Sequence, residues 1–146
     1  MDAPPNPLVL HAGLVARRKD GTWRGVLIRG PSGVGKSDLA LRLLDRDFQL
    51  VSDDRTLVFA SDGRLFGSAP RALEGLIEIR PLGVVRRHRL PVAEIELVLD
   101  CQSGPVETRL LDPEHERLAG IRLPVLPFSP REASAPEKLV AALDLL

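Results

Sequence analysis

The sequence is short of several things, and each shortage removes a class of protein. A single cysteine, Cys101, excludes an internal disulfide and a cysteine-built zinc cluster, and it fits a reducing compartment. Net charge is zero, with 20 Lys and Arg against 20 Asp and Glu and a pI of about 6.8, so no overall basic field would gather nucleic acid. Nowhere do 18 apolar residues run together, and the opening MDAPPNPLVLHAG lacks a basic n-region. Neither a membrane span nor a secretory leader is therefore expected, and a soluble cytoplasmic protein is. Lysine is scarce as well: Lys19, Lys36 and Lys138 stand against 17 arginines, which makes Lys36 conspicuous.

What is present fits one domain, since 146 residues leave little room for two cores. Residues 1–7, with Pro4, Pro5 and Pro7, read as a flexible segment, and residues 8–146 as a single domain. LVLHAGLVA (8–16) is a strand candidate, and Asp20-Gly21 is a hairpin turn into a second strand, Trp23 to Ile28. From Lys36 to about Arg46, Leu39/Leu43 and Ala40/Leu44 recur at helical spacing. FQLVSDD is a short strand ending in two carboxylates, and TLVFASDGRLFG is a hairpin around Asp62-Gly63. The stretch 73–91 is broken by Pro81 and Gly83 and reads as a loop. EIELVLD (94–100) alternates, which puts Ile95, Leu97 and Leu99 on one side. The proline-punctuated stretch 105–130 resists assignment, and APEKLVAALDLL closes the chain as a helix with Pro136 in its first turn.

The chemistry centres on GPSGVGKS, Gly30 to Ser37, which has the spacing G-x-x-x-x-G-K-[ST] between a strand and a helix. Such a loop turns backbone N–H groups toward phosphate oxygens and adds the positive end of the helix that follows. Gly30, Pro31, Ser32, Gly33, Val34, Gly35, Lys36 and Ser37 are thus the expected nucleotide-binding residues. The Lys36 ammonium would neutralise β- and γ-phosphates of ATP, and the Ser37 hydroxyl would ligate Mg2+. A carboxylate must then hold metal or orient a nucleophile. Asp53 and Asp54 end a strand at a suitable distance, and since neighbouring strand residues face opposite ways, one would meet the γ-phosphate and the other secure metal or backbone. Asp100 is a competing choice whose parity matches the exposed Glu94 and Glu96.

These residues together resemble the HPr kinase/phosphorylase family. HAG from His11, GPSGVGKSDLAL, LVSDDR and LIEIRPLGV (76–84) occur in the family's order, and the last is the most specific match. The resemblance implies an α/β, P-loop (HPr kinase / PEP carboxykinase-like) fold with a mixed, strand-rich sheet, and the catalytic domain of a short form without the N-terminal domain. It also implies a Mg-ATP-dependent kinase that phosphorylates a serine of an HPr-like phosphocarrier, in a hexamer. Residue by residue, it makes Asp54 the group that takes the serine proton, Glu78 a second metal ligand beside Ser37, and His11 a polar active-site residue, which with the strand parity above leaves Asp53 to the metal. Arg109 corresponds to the family's catalytic arginine, with Arg117 in HERLAG as competitor. Two departures touch the reverse reaction: Pro81 stands where the family has Gly, and FSPREAS (128–134) stands where it has Val-Arg-Pro-Gly-Arg-Asn. Dephosphorylation is accordingly not expected to be retained in full, although Arg131 could compensate in part.

Two other readings remain open at this level. One is a P-loop kinase or NTPase acting on a small anionic molecule bound by Arg86, Arg87, His88 and Arg89. The other is a nucleotide-binding regulatory module without turnover. His88 and His115 lack metal-ligand spacing, Trp23 reads as a packing residue, and Cys101 as a small buried apolar one.

Overall fold

The computed structural model describes residues 7–107 and 112–146. Arg109 and all of the proline-rich start except Pro7 therefore lie outside the described residues. The strands are β1 (Leu8–Leu10), β2 (Ala12–Lys19), β3 (Thr22–Arg29), β4 (Phe48–Ser52), β5 (Thr56–Ser61), β6 (Arg64–Ser68), β7 (Leu76–Ile79), β8 (Gly83–Arg86), β9 (Ala93–Cys101), β10 (Glu114–Leu118) and β11 (Ile121–Phe128). The helices are α1 (Lys36–Leu44) and α2 (Ala135–Leu145). No helix among the described residues is long and apolar enough to cross a membrane.

Nine strands form one sheet in the order β1-β5-β6-β9-β3-β2-β4, with β11 also on β9 and β10 on β11. Pairs β3–β9 and β9–β11 are parallel and the rest antiparallel, so the sheet is mixed and strand-rich, as expected. The two Asp-Gly turns close hairpins β2–β3 and β5–β6, because Asp20 and Asp62 adopt left-handed backbone that a short polar side chain tolerates. Alternation sends Val15, Val26 and Ile28 to one face, where α1 and α2 cover them with Leu39, Leu43, Leu139 and Leu143. Leu14, Ala16 and Leu27 go to the other face, where every fully buried partner comes from a strand, including Val58, Leu65 and Val125. Burying that face without a helix requires the sheet to curl over it.

Three expectations change on this fold. The stretch 73–91 is more than a loop: β7 and β8 pair as a small separate ribbon around Pro81, whose bond to Arg80 is cis. Ile77, at zero exposure, anchors that ribbon under α1. Ile95 does not share a face with Leu97 and Leu99. The β3–β9 register skips Glu96 between Gly25↔Ile95 and Val26↔Leu97, so Ile95 enters the strand-only core and the two leucines the helical one. Gly25 permits the close approach of β9 at this bulge, since a Cβ there would lie 2.3 Å from the Glu94 carbonyl oxygen. The third change is in the unassigned stretch, which carries the β10–β11 hairpin; Pro124 lies before the β9 ladder begins and Pro127 beyond the end of the β10 ladder, so each proline has one strand side without a ladder partner.

Candidate active site

The C-terminal ends of β3, β4 and β9 and the start of β2 meet at one edge of the sheet, and the motif residues gather there. The sharp turn from β3 into α1 is possible because Gly30 has φ 151° and no side chain; a Cβ there would lie 2.6 Å from the carbonyl oxygen of Cys101 at the end of β9. Gly30 thus serves the strand-to-loop exit. Cys101 is buried beside it, and burial pushes its thiol up to about 12, which bears out a packing role. Val34 is also buried, in the helical core, and pins the middle of the loop. The ammonium of Lys36 donates to the carbonyl oxygens of Gly30 at 2.7 Å and Pro31 at 3.1 Å, so it lies along the inside of the loop.

Asp53 and Asp54 leave β4 in different ways. Asp53 is held: its Oδ1 accepts from the Ser37 hydroxyl at 2.8 Å and its Oδ2 from the Glu78 backbone N–H at 3.0 Å. Burial still pushes its pKa up, more than these two bonds pull it down, and the charges of Asp54 and Glu78 add to the push. Asp54 sits at φ 67° in a turn closed by the Arg55 N–H to the Asp53 carbonyl at 2.8 Å. A left-handed residue inside so short a turn is strained. Asp54 is exposed and makes no side-chain hydrogen bond or ion pair among the described residues.

The remaining expected residues fall around this pair. Glu78 is exposed on β7, with its backbone against Asp53 and its carboxylate paired with Arg80 at 3.1 Å. His11 is exposed at the bend between β1 and β2, one residue before Ala12, which pairs with Arg29 at the mouth of the loop. Arg117 is exposed and bonds the Gly120 carbonyl within its own hairpin, away from the loop. Asp100 is occupied by the Arg29 guanidinium, 3.4 Å away. Of the basic run, Arg89 pairs with Glu74 at 2.9 Å.

Two arginines near the loop were not singled out as site residues by the sequence reading. Arg29, immediately before Gly30, forks onto Glu116 of β10 at 2.5 and 3.0 Å, and that contact holds the Glu116 carboxyl below its usual range. Its position just ahead of the motif was the available signal. Arg131, noted in sequence only as a partial substitute, donates to the carbonyls of Gly33 at 2.6 Å and Val34 at 3.2 Å. No spacing rule links residues nearly a hundred positions apart.

The site can therefore offer backbone N–H groups, one ammonium, a hydroxyl–carboxylate pair and a free carboxylate within one edge. The oxygen donors of Ser37 and Asp53 suit Mg2+, which takes one or two carboxylates and completes its shell with phosphate and water. Asp53 is a partly buried carboxylate without a cationic partner among the described residues, so a cation there would relieve its burial. No group of three His, Cys, Asp or Glu side chains among the described residues forms a metal cage by itself.

Residues 20–90 match the HPr Serine kinase C-terminal domain family. The HPr kinase/phosphorylase of Geobacillus thermodenitrificans is 37% identical over 134 residues, covering 82% of this chain and 43% of that protein. That of Limosilactobacillus reuteri is 52% identical over 77 residues, covering 52% of this chain and 23% of the relative. The chain thus spans less than half the length of these relatives. The solved Hpr(Ser) kinase/phosphatase from Coxiella burnetii superimposes with a TM-score of 0.78 at 27% identity, covering 94% of each chain.

Proposed function

From the premise that this chain belongs to the HPr kinase/phosphorylase family through its C-terminal catalytic domain, we propose that it transfers the γ-phosphoryl group of ATP to a serine of an HPr-like carrier protein. The observation that carries this reading is the division of labour between adjacent carboxylates. Asp53 is bound to Ser37 and aimed into the loop, while Asp54 is exposed, unpaired and turned outward. A water-activating or small-molecule site would enclose its base; an exposed carboxylate suits a nucleophile presented by another protein.

In this mechanism the Lys36 ammonium exchanges its two loop carbonyls for phosphate oxygens, and the N–H groups at the start of α1 meet the same charge. Ser37 and Asp53 would hold Mg2+, with Glu78 close by, and the metal when bound would balance charge on the transferred group. Asp54 accepts the serine proton as the Oγ–P bond forms and the bond from phosphorus to the bridging oxygen breaks, with ADP leaving. His11, and Arg109 beyond the described residues, keep the proposed polar roles. The transfer needs little covalent help, so positioning and charge supply most of the rate.

The test is incubation with labelled ATP and Mg2+, with and without HPr. Label on an HPr serine supports the proposal. Phosphate release without HPr would favour a small-molecule NTPase, and binding without turnover a regulatory module. Asp54→Asn should leave Mg-ATP binding within about twofold and slow transfer to HPr by on the order of 10²–10⁴, the usual worth of a positioned base.

A further inference from the structure

We propose that Arg131 is a positioning residue that sets the phosphate-binding loop from outside, by gripping carbonyls whose peptide planes aim the Gly35 N–H inward; this rests on the nucleotide-binding reading above. A trans peptide is planar, with C=O and N–H pointing opposite ways. The guanidinium holds the Gly33 carbonyl at 2.6 Å and the Val34 carbonyl at 3.2 Å. The Gly33–Val34 plane is fixed at its other end too, because the Val34 N–H donates to the Pro31 carbonyl at 3.2 Å. In the Val34–Gly35 plane only the carbonyl is held. The Gly35 N–H has no partner among the described residues, and it points away from Arg131. Three of the four polar groups in these two peptides are therefore committed to the protein, and the fourth is left for an anion.

The grip is itself supported. Arg131 lies on the connector between β11 and α2, and Arg42 of α1 donates to the carbonyls on both sides of it, Pro130 and Glu132, the latter at 3.1 Å. Arg42 also pairs with Asp38 at 3.2 Å. The stem of Arg131 packs on the loop as well: a Cβ on Gly35 would meet its Cγ at 3.4 Å. The helix after the loop thus holds the connector, and the connector holds the loop. A rigid planar fork presents separate donors to two carbonyls in a fixed geometry, which a lysine on a flexible stem reaches with only a single nitrogen.

The experiment compares wild type, Arg131→Ala and Arg131→Lys in the full chain. It uses calorimetric titration with Mg-ATP, amide hydrogen exchange across residues 31–37 and thermal unfolding. Arg131 is exposed, so both variants should fold. The expected result is at least about 10-fold weaker Mg-ATP binding in Arg131→Ala, the low end of the worth of one charge-assisted hydrogen bond. Faster exchange at Gly35 and Lys36, an unchanged KM for HPr and a partial return of affinity in Arg131→Lys should accompany it. Binding within twofold of wild type, with loop exchange unaltered, would overturn the proposal. So would a loss of affinity matched by general destabilisation and no local change in exchange. Wild type failing to bind Mg-ATP would sink the functional reading instead, while the exchange contrast still decides whether Arg131 holds the loop.

Discussion

Replacing Asp53 by Ala separates a metal ligand from a structural carboxylate. The side chain accepts two hydrogen bonds, at 2.8 and 3.0 Å, each worth about 1.5–3 kcal/mol to a charged acceptor. Yet burial outweighs them, since the proton is held more tightly in the folded protein than in water. Losing the bonds and losing the buried charge therefore nearly cancel, and unfolding in urea at neutral pH should differ from wild type by no more than about 1 kcal/mol, within the range of ordinary surface changes. Binding should respond otherwise. Removal of a direct ligand ought to exceed the 10- to 100-fold loss seen for groups behind the ligands, so Mg-ATP should bind about 100-fold more weakly, or about 2.7 kcal/mol. With EDTA present the order should close or invert, because a carboxylate repels phosphate when no cation stands between them. Calorimetric titration with and without Mg2+ measures both. A variant destabilised by more than about 3 kcal/mol, or one losing ATP affinity equally in both conditions, would refute the assignment.

Two further outcomes follow from the same edge of the sheet. Because the Asp53 pKa is raised, the folded state holds its proton above 3.8, so this group's contribution to stability falls as pH rises from there through the elevated folded value. Mg-ATP affinity should climb over the same window as the proton leaves, and Asp53→Asn should flatten both profiles when titrated in parallel. Gly30→Ala places a Cβ 2.6 Å from the Cys101 carbonyl at φ 151°, so overpacking of about 1–3 kcal/mol adds to backbone strain of about 1–3 kcal/mol. Guanidinium unfolding should show a loss of about 2–6 kcal/mol, and a variant as stable as wild type would mean that Gly30 does not set the β3–β9 exit.

Local chemistry was legible in the residues alone. Glycines at motif spacing, a lone lysine among arginines and an Asp-Asp pair at a strand end marked the site, because each depends on neighbours within a few positions. The Asp-Gly hairpins and the closing helix were readable for the same reason. The β7–β8 ribbon was not, since its apolar anchor Ile77 is paid for by α1 and not by its own turn. Nor was the face switch in β9, which goes with the close approach of β3 that Gly25 permits.

Sequence alone determined which groups could meet a phosphate, because the loop's spacing and the identities of Lys36, Ser37, Asp53 and Asp54 are properties of adjacent positions. Tertiary structure decided which carboxylate is bound and which is free, through the turn that puts Asp54 at φ 67° and the ribbon that brings the Glu78 N–H to Asp53. It also committed Asp100 to Arg29 and laid Arg131 across the loop. These contacts join residues far apart in the chain, and only the packing of sheet, ribbon and helices brings them within reach of a hydrogen bond.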